Sequence, residues 1–257
     1  LVLLGLPLFA LFWKVGLTGY PPEWDGATAL RFLRAEAMLF SGHLPRSIGT
    51  GLLTGMLIAM LGLVGCWLAR ESTWFRLFYF SVLTWAWVLP APIVGIDVHR
   101  IVLQVKSAWP DGMLAEMLYH GPSPLPLVWV QGIRTLPIAA LLLWPVVRLM
   151  PRELFDDARL AGAGALGEFA HLVWPLTWRA TFGASFVASA LCLGEVAASV
   201  RAETPGWSSF TTLLFERMHY GVENSLAALS LLMLASVGAV VFLAVIIRNV
   251  SRWIFKS

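Results

Sequence analysis

Cysteine is almost absent from this 257-residue chain, and its two copies, Cys66 and Cys192, each lie alone inside an apolar stretch. Without C-x-x-C or Cys/His spacing there is material for neither a disulfide framework nor a cysteine metal site, and a free thiol packed like a small hydrophobe is the expected state. Charge is scarce too. Asp, Glu, Lys and Arg make up 13% of the residues, about half of the ~25% usual in soluble domains, which excludes an ordinary soluble domain. No G-x-x-x-x-G-K-[ST] segment occurs, so the chain does not cradle ATP phosphates by a P-loop. No G-x-S-x-G elbow, H-E-x-x-H pair or Cys/His catalytic set occurs either, so no enzyme is expected. His99, His120 and His171 stand apart from any partner at metal-ligand spacing and read as solvated or interfacial. The chain carries no heptad array, low-complexity tract or internal repeat, and one domain over 1–257 accounts for it.

Apolar sequence is what the chain has in quantity: 58% hydrophobic residues and a mean hydropathy of +0.76. A helix crossing a bilayer needs ~20 apolar residues. Cutting the apolar windows at charged and Pro/Gly-rich punctuation predicts six spans, near 2–18, 47–69, 77–97, 125–148, 177–199 and 224–247. The expectation is an all-α polytopic membrane protein. The formal charge of +3 reflects basic residues flanking spans, and no nucleic-acid partner is expected; membrane lipid is. Thirteen Trp fall largely near span ends, as interfacial belts require.

The connections alternate. Gly19 to Pro45, His99 to Ser123 and Val200 to Val222 are long and polar; Arg70 to Arg76, Met150 to Leu176 and the Arg248 to Ser257 tail are more densely basic. With Arg148 and Arg179, which border the middle loop, the latter hold nine Lys/Arg against five acids, whereas the rest of the chain, leaving aside Lys14 and Glu195, holds eight against nine. The positive-inside rule places the basic set, with the C-terminus, in the cytoplasm. The first apolar segment has neither a basic lead nor an A-x-A site, so no cleavable signal is expected; lacking an initiator Met, the chain is expected to begin at a trimmed boundary or within a longer product.

Two charges inside spans are notable besides Lys14. Arg134 and Glu195 both fall in the outer half of the bilayer by this threading, where an ionised side chain is costly unless paired. They are expected to pair, as a static clamp between helices or as a gate or substrate contact. Lys14 can snorkel. Pro90, Pro92, Pro137 and Pro145 mark kinks. The series Gly183, Ala184, Ala188 and Ala190 permits close helix packing.

The most informative stretch is the polar interlude RELFDDARLAGAGALGEFAHLVWP, Arg152 to Pro175. Pro151 suits the start of a helix, and Leu154, Ala158 and Ala161 recur on one face at i, i+4 and i+7. Gly162 and Gly164 break it, a second short helix fits Leu166 to Leu172, and Pro175 opens the next span. Two short helices at an angle make a knob able to enter a groove on a partner. A solvated connecting loop is the plainer alternative.

In this stretch Asp156-Asp157-Ala158 is followed after three residues by Gly162 and after nine more by Leu172, then Trp174 and Pro175. The order resembles the EAA loop, E-A-A-x3-G-x9-I-x-L-P, of the permease subunits of type I ATP-binding-cassette (ABC) importers. It departs at Asp156 for Glu, Asp157 for Ala and Trp174 for Leu. IRTLPIAALLLWPVVRLMPREL, HLPRSIGTGLLTGMLIAML and PGWSSFTTLLFERMHYG with NSLAALSLLML are similar to other parts of that family, the last to its ferric-iron and thiamine branches. The resemblance implies a six-span permease fold with a cytoplasmic coupling loop about 151–175. Asp156, Asp157, Ala158, Gly162, Ala163 and Leu166 would couple to the ATPase subunit. It also implies ATP bound by those partner subunits and no cofactor in this chain. Further implied partners are a second permease half (identical, homologous or fused, with this chain as the C-terminal half of a fusion) and a periplasmic or lipid-anchored substrate-binding protein. The location implied is a bacterial inner membrane, and the cargo favoured is ferric iron (iron transport) or thiamine, ahead of a polyamine, a phosphonate or an oxyanion such as sulfate or molybdate. A different class of function, an ATP-independent secondary transporter or channel using Arg134 and Glu195, stays open on the residues alone.

Overall fold

The computed structural model describes residues 2–39, 41–220 and 223–254. Helix dominates it, as an apolar chain in a bilayer must satisfy its backbone internally. Helix α1 (Val2–Val15) leads through a two-residue ladder, β1 (Leu17–Thr18) against β2 (Glu23–Trp24), to α2 (Gly26–Leu39) and the long α3 (His43–Glu71). Then come α4 (Thr73–Val88), α5 (Ala91–Ala108), the single turn α6 (Met113–Ala115) with a π-helical turn at Glu116–His120, and α7 (Leu125–Arg148). The rest is α8 (Arg152–Leu160), α9 (Ala165–Glu168), a π-helical turn at Phe169–Val173, α10 (Trp174–Gly194), α11 (Val196–Ala202), α12 (Phe210–Tyr220) and α13 (Glu223–Ile254).

Among the described residues four helices are long and apolar enough to cross a membrane: His43–Glu71, Leu125–Arg148, Ala165–Gly194 and Glu223–Leu243. The chain is thus a multi-pass, all-α membrane protein. The expected third span, 77–97, is broken. Thr73–Val88 and Ala91–Ala108 meet at 104°, and count as a fifth span only if taken together. Proline explains the break: Pro90 lacks an N–H and forces Leu89 out of the helical region, to ψ 132°. A kink was expected there; a near right angle is found. The expected first span is a helix of 14 residues, about 21 Å long and short of the ~30 Å hydrocarbon core. The fifth begins earlier than expected, because α9, the π turn and α10 run on as one 30-residue helix. The π turn lies just ahead of Pro175 and loosens the ladder where that proline cannot donate. Lys256 and the side chains of Arg248 and Arg252, counted on the basic side by sequence, lie outside the described residues.

The core is the sandwich of α3, α7 and α10. Ala59, Leu63, Cys66, Ala140, Leu143, Val147 and Ala184 form its buried centre, and both cysteines are free and buried. Small residues permit the approach, though not the expected series alone. A Cβ on Gly55 would collide with Ser189 Oγ and the Ser185 carbonyl, whereas Gly183 faces open space. Ala184 and Ala188 are buried, so α10 contributes alanine and serine, and α3 contributes glycine. On the other flank, α1, α2 and α13 pack through Val15, Ala29, Ala227 and Ala228. The Gly19 to Pro45 connection is therefore largely the helix α2, capped by Asp25, whose carboxylate accepts from Ala27 and Thr28 N–H and from the Thr28 hydroxyl. Those bonds, the Thr28 hydroxyl first, hold the Asp25 carboxyl below its usual value.

Candidate functional site

Helix α8 begins after Pro151 and buries one large side chain, Phe155, at 2% exposure. The Arg70 guanidinium, from the last turn of α3, lies over the Phe155 ring at 3.7 Å and donates to the Met150 carbonyl at 2.9 Å. The apolar face read from the sequence is not the one most deeply buried: Leu154 is 38% exposed and Ala161 is exposed, and Phe155, one position on from Leu154, is buried instead because it carries far more apolar area than either. The helix ends as predicted at Gly162, which has φ +82°. Gly162 N–H donates to the Arg159 carbonyl and Ala163 N–H to the Ala158 carbonyl, the paired bonds of a Schellman cap, for which only glycine is unstrained.

The knob is locked to α3 by an ionic clasp that the sequence did not announce. Arg159 donates to Glu71 at 2.6 Å and to Glu168 at 3.1 Å, and Trp67 Nε1 donates to the other oxygen of Glu168 at 3.0 Å. Glu168 is buried, which an anion tolerates when each oxygen is bonded. The hydrogen bond from Arg159 to Glu71, and then the charges of both carboxylates, hold the proton of Arg159 more tightly than usual. These partners are 88 and 101 positions apart in sequence, so spacing gave no signal; Arg159 and Glu168 were visible only as loop charges.

What the knob presents outward is mixed. Asp156, Asp157 and Gly162 are exposed, Ala158 and Ala163 half-buried. Leu160 and Leu166 stand 86% and 85% exposed on either side of the Gly162 turn. Leu166 was a candidate from sequence; Leu160 was not, since it reads as an ordinary helix-end leucine. A fixed turn with two bare leucines flanked by two carboxylates has the chemistry of a protein contact surface.

Arg134 and Glu195 are brought together, Nε to Oε2 3.7 Å, both mostly buried. Each also closes a helix end. Arg134 donates through one terminal nitrogen to the carbonyls of Ala86, Trp87 and Leu89 at 2.9–3.3 Å, the open C-terminus of α4. Glu195 accepts the Ala198 N–H at the start of α11. Nearby, Gln131 donates to the Cys192 carbonyl and to Ser199 Oγ, and accepts from Thr54. A lone buried glutamine thus ties α3, α7, α10 and α11, a role its uncharged side chain concealed in the sequence. Among the described residues no group of three His, Cys, Asp or Glu is placed to hold a metal ion. No family model matches the chain, and no curated protein matches it either.

At the opposite end of α3, the 203–210 turn is clasped down. Glu203 accepts the Ser209 N–H at 2.8 Å, Ser47 Oγ accepts the Phe210 N–H at 2.8 Å, and Thr204 donates to the Ser123 carbonyl. Burial pushes the Glu203 carboxyl up against the pull of its hydrogen bonds. A folded-state value above the unfolded one makes its contribution to stability complete below the ordinary glutamate range, and lost as pH rises through the raised folded value. Wild-type protein should therefore lose thermal stability as pH climbs above that range, while Glu203→Gln, which keeps an acceptor and no charge, should show a flatter profile in detergent. Parallel profiles would assign the pH dependence to other groups.

Proposed function

We propose that this chain is the membrane permease subunit of a type I ABC importer, forming half of a translocation pathway. The observation that carries the reading is the knob: a short helix and a glycine turn at the EAA-like spacing, clasped through Arg159 to Glu71 at the end of α3 and to Glu168 of α9, with acids and leucines facing out. A connecting loop needs no such clasp. A mechanical coupler does, because motion imposed on Asp156, Asp157 and Leu166 reaches the spans only if the knob moves with them as a rigid body.

On this reading ATP is bound and hydrolysed by partner ATPase subunits, and the chain has no catalytic step of its own. The knob side is cytoplasmic in a bacterial inner membrane, a second permease half completes the path, and an extracytoplasmic binding protein delivers the solute. Ferric iron or thiamine is the cargo favoured by the likeness of the 205–234 segment. The decisive test is co-purification with ATP-binding subunits from the same source. Wild type should retain them. Gly162→Pro with Asp156→Lys should lose them while remaining folded, since proline is excluded at φ +82°. Well-folded wild type that retains no ATPase would overturn the proposal and leave Arg134 and Glu195 as the place to look for ATP-independent transport.

A further inference from the structure

A groove of about 710 Å³ runs between α4 and α7, lined among others by Arg76, Phe80, Ser81, Trp85, Trp144 and Arg148. Its two arginines share one end. Arg76 lies in the first turn of α4 and Arg148 is the last residue of α7, so both stand at the level where spans leave the hydrocarbon. Among the described residues no acid lines the groove, and Glu71, the acid nearest Arg76 in sequence, is held by Arg159. Arg148 is placed over the Trp144 ring, 6.0 Å from its centroid.

From Arg76 the groove climbs nine residues of α4 to Trp85, a rise of about 13 Å, close to the half-thickness of a ~30 Å hydrocarbon core. Helix α4 does not fill it, for Leu83 is its one buried residue. Two guanidinium groups at headgroup depth, above an aromatic trough one leaflet deep, match the two parts of a single molecule. Arginine binds phosphate oxygens through its planar fork, and basic pockets between spans suit anionic headgroups. We propose that the α4–α7 groove is a binding site for an anionic glycerophospholipid, its phosphate between Arg76 and Arg148 and an acyl chain along Phe80, Trp85 and Trp144. The site does not depend on the importer reading.

Native mass spectrometry of the full chain, released from nanodiscs of phosphatidylcholine with a minority of phosphatidylglycerol, tests it. Wild type should retain one phosphatidylglycerol per chain in preference to phosphatidylcholine. Arg76→Gln with Arg148→Gln should weaken that retention about thirtyfold, taking the usual worth of a basic residue at an anionic surface. Ser81→Trp fills the trough without touching charge, and should displace the lipid even if the double variant fails to fold. Inorganic phosphate should not compete. Equal retention by wild type and both variants would overturn the proposal, as would displacement by phosphate alone. So would a Ser81→Cys disulfide between two chains, which would make the groove a contact between subunits.

Discussion

Arg134→Ala is expected to destabilise the protein by about 3 kcal/mol or more, far beyond the cost of neutralising its partner. Removing one member of a mostly buried ion pair typically costs 3–5 kcal/mol, because the other charge is left uncompensated. Here the loss is compounded, since the carbonyls of Ala86, Trp87 and Leu89 also lose their donor, and unmet backbone groups in a bilayer are expensive. Glu195→Gln leaves Arg134 on those carbonyls and keeps an acceptor for the Ala198 N–H, so a cost near 1 kcal/mol is expected. This asymmetry replaces the obvious test of an ion pair. A charge swap would aim a carboxylate at the α4 carbonyls and fail whether or not the pair matters. A double-mutant cycle with leucine at both positions isolates the coupling, expected at about 1–2 kcal/mol. Equal losses from Arg134→Ala and Glu195→Gln, in unfolding from lipid or detergent, would mean that Arg134 does not cap the break.

The class of the molecule was legible because hydropathy is summed over ~20 residues and survives local error. Three of the four continuous crossing helices lie close to the expected windows, and the fourth, Ala165–Gly194, is displaced for a local reason. Reading Pro175 as a helix start overlooked that a π turn lets a helix continue through proline. The same kind of judgement failed in the opposite sense at Pro90, where proline ended the helix instead of bending it, because Leu89-Pro90-Ala91-Pro92 places two prolines within one turn. Within the knob, the glycine stop was legible since positive φ is a residue-level property. The buried anchor was not, because periodicity counted Leu154, Ala158 and Ala161 equally and passed over the aromatic next to Leu154. The clasp of Arg159 with Glu71 and Glu168, and the bridging by Gln131, depend on partners brought together by the α3–α7–α10 sandwich. No spacing rule reaches across the 61 to 88 residues that separate Gln131 and Arg159 from their distant partners. Arg134 and Glu195 were the exception, because the cost of charge in hydrocarbon makes each demand a partner wherever it lies in sequence.

Phe155→Ala should detach the knob while sparing the spans. Helix α8 has nine residues, too few to be stable by itself, so it persists through what it buries. Its one large buried side chain is Phe155, and losing it removes about 3 kcal/mol of packing together with the face on which Arg70 lies at 3.7 Å. The core of α3, α7 and α10 is continuous without it, so helicity by circular dichroism and elution in detergent should stay close to wild type. Trypsin should then cut at Arg152 or Arg159, sites protected in the wild type by helical backbone, and Phe155→Leu should restore most of the protection. In a reconstituted complex, solute-stimulated ATP hydrolysis should fall at least tenfold for Phe155→Ala while ATPase subunits still bind weakly through Leu160 and Leu166, because a loosened knob can be held without transmitting displacement. Unchanged protease protection would mean that the Arg159 clasp alone holds α8. Faster cleavage with undiminished stimulation would separate the two conclusions, leaving Phe155 as the anchor of the knob and removing rigidity from the account of coupling.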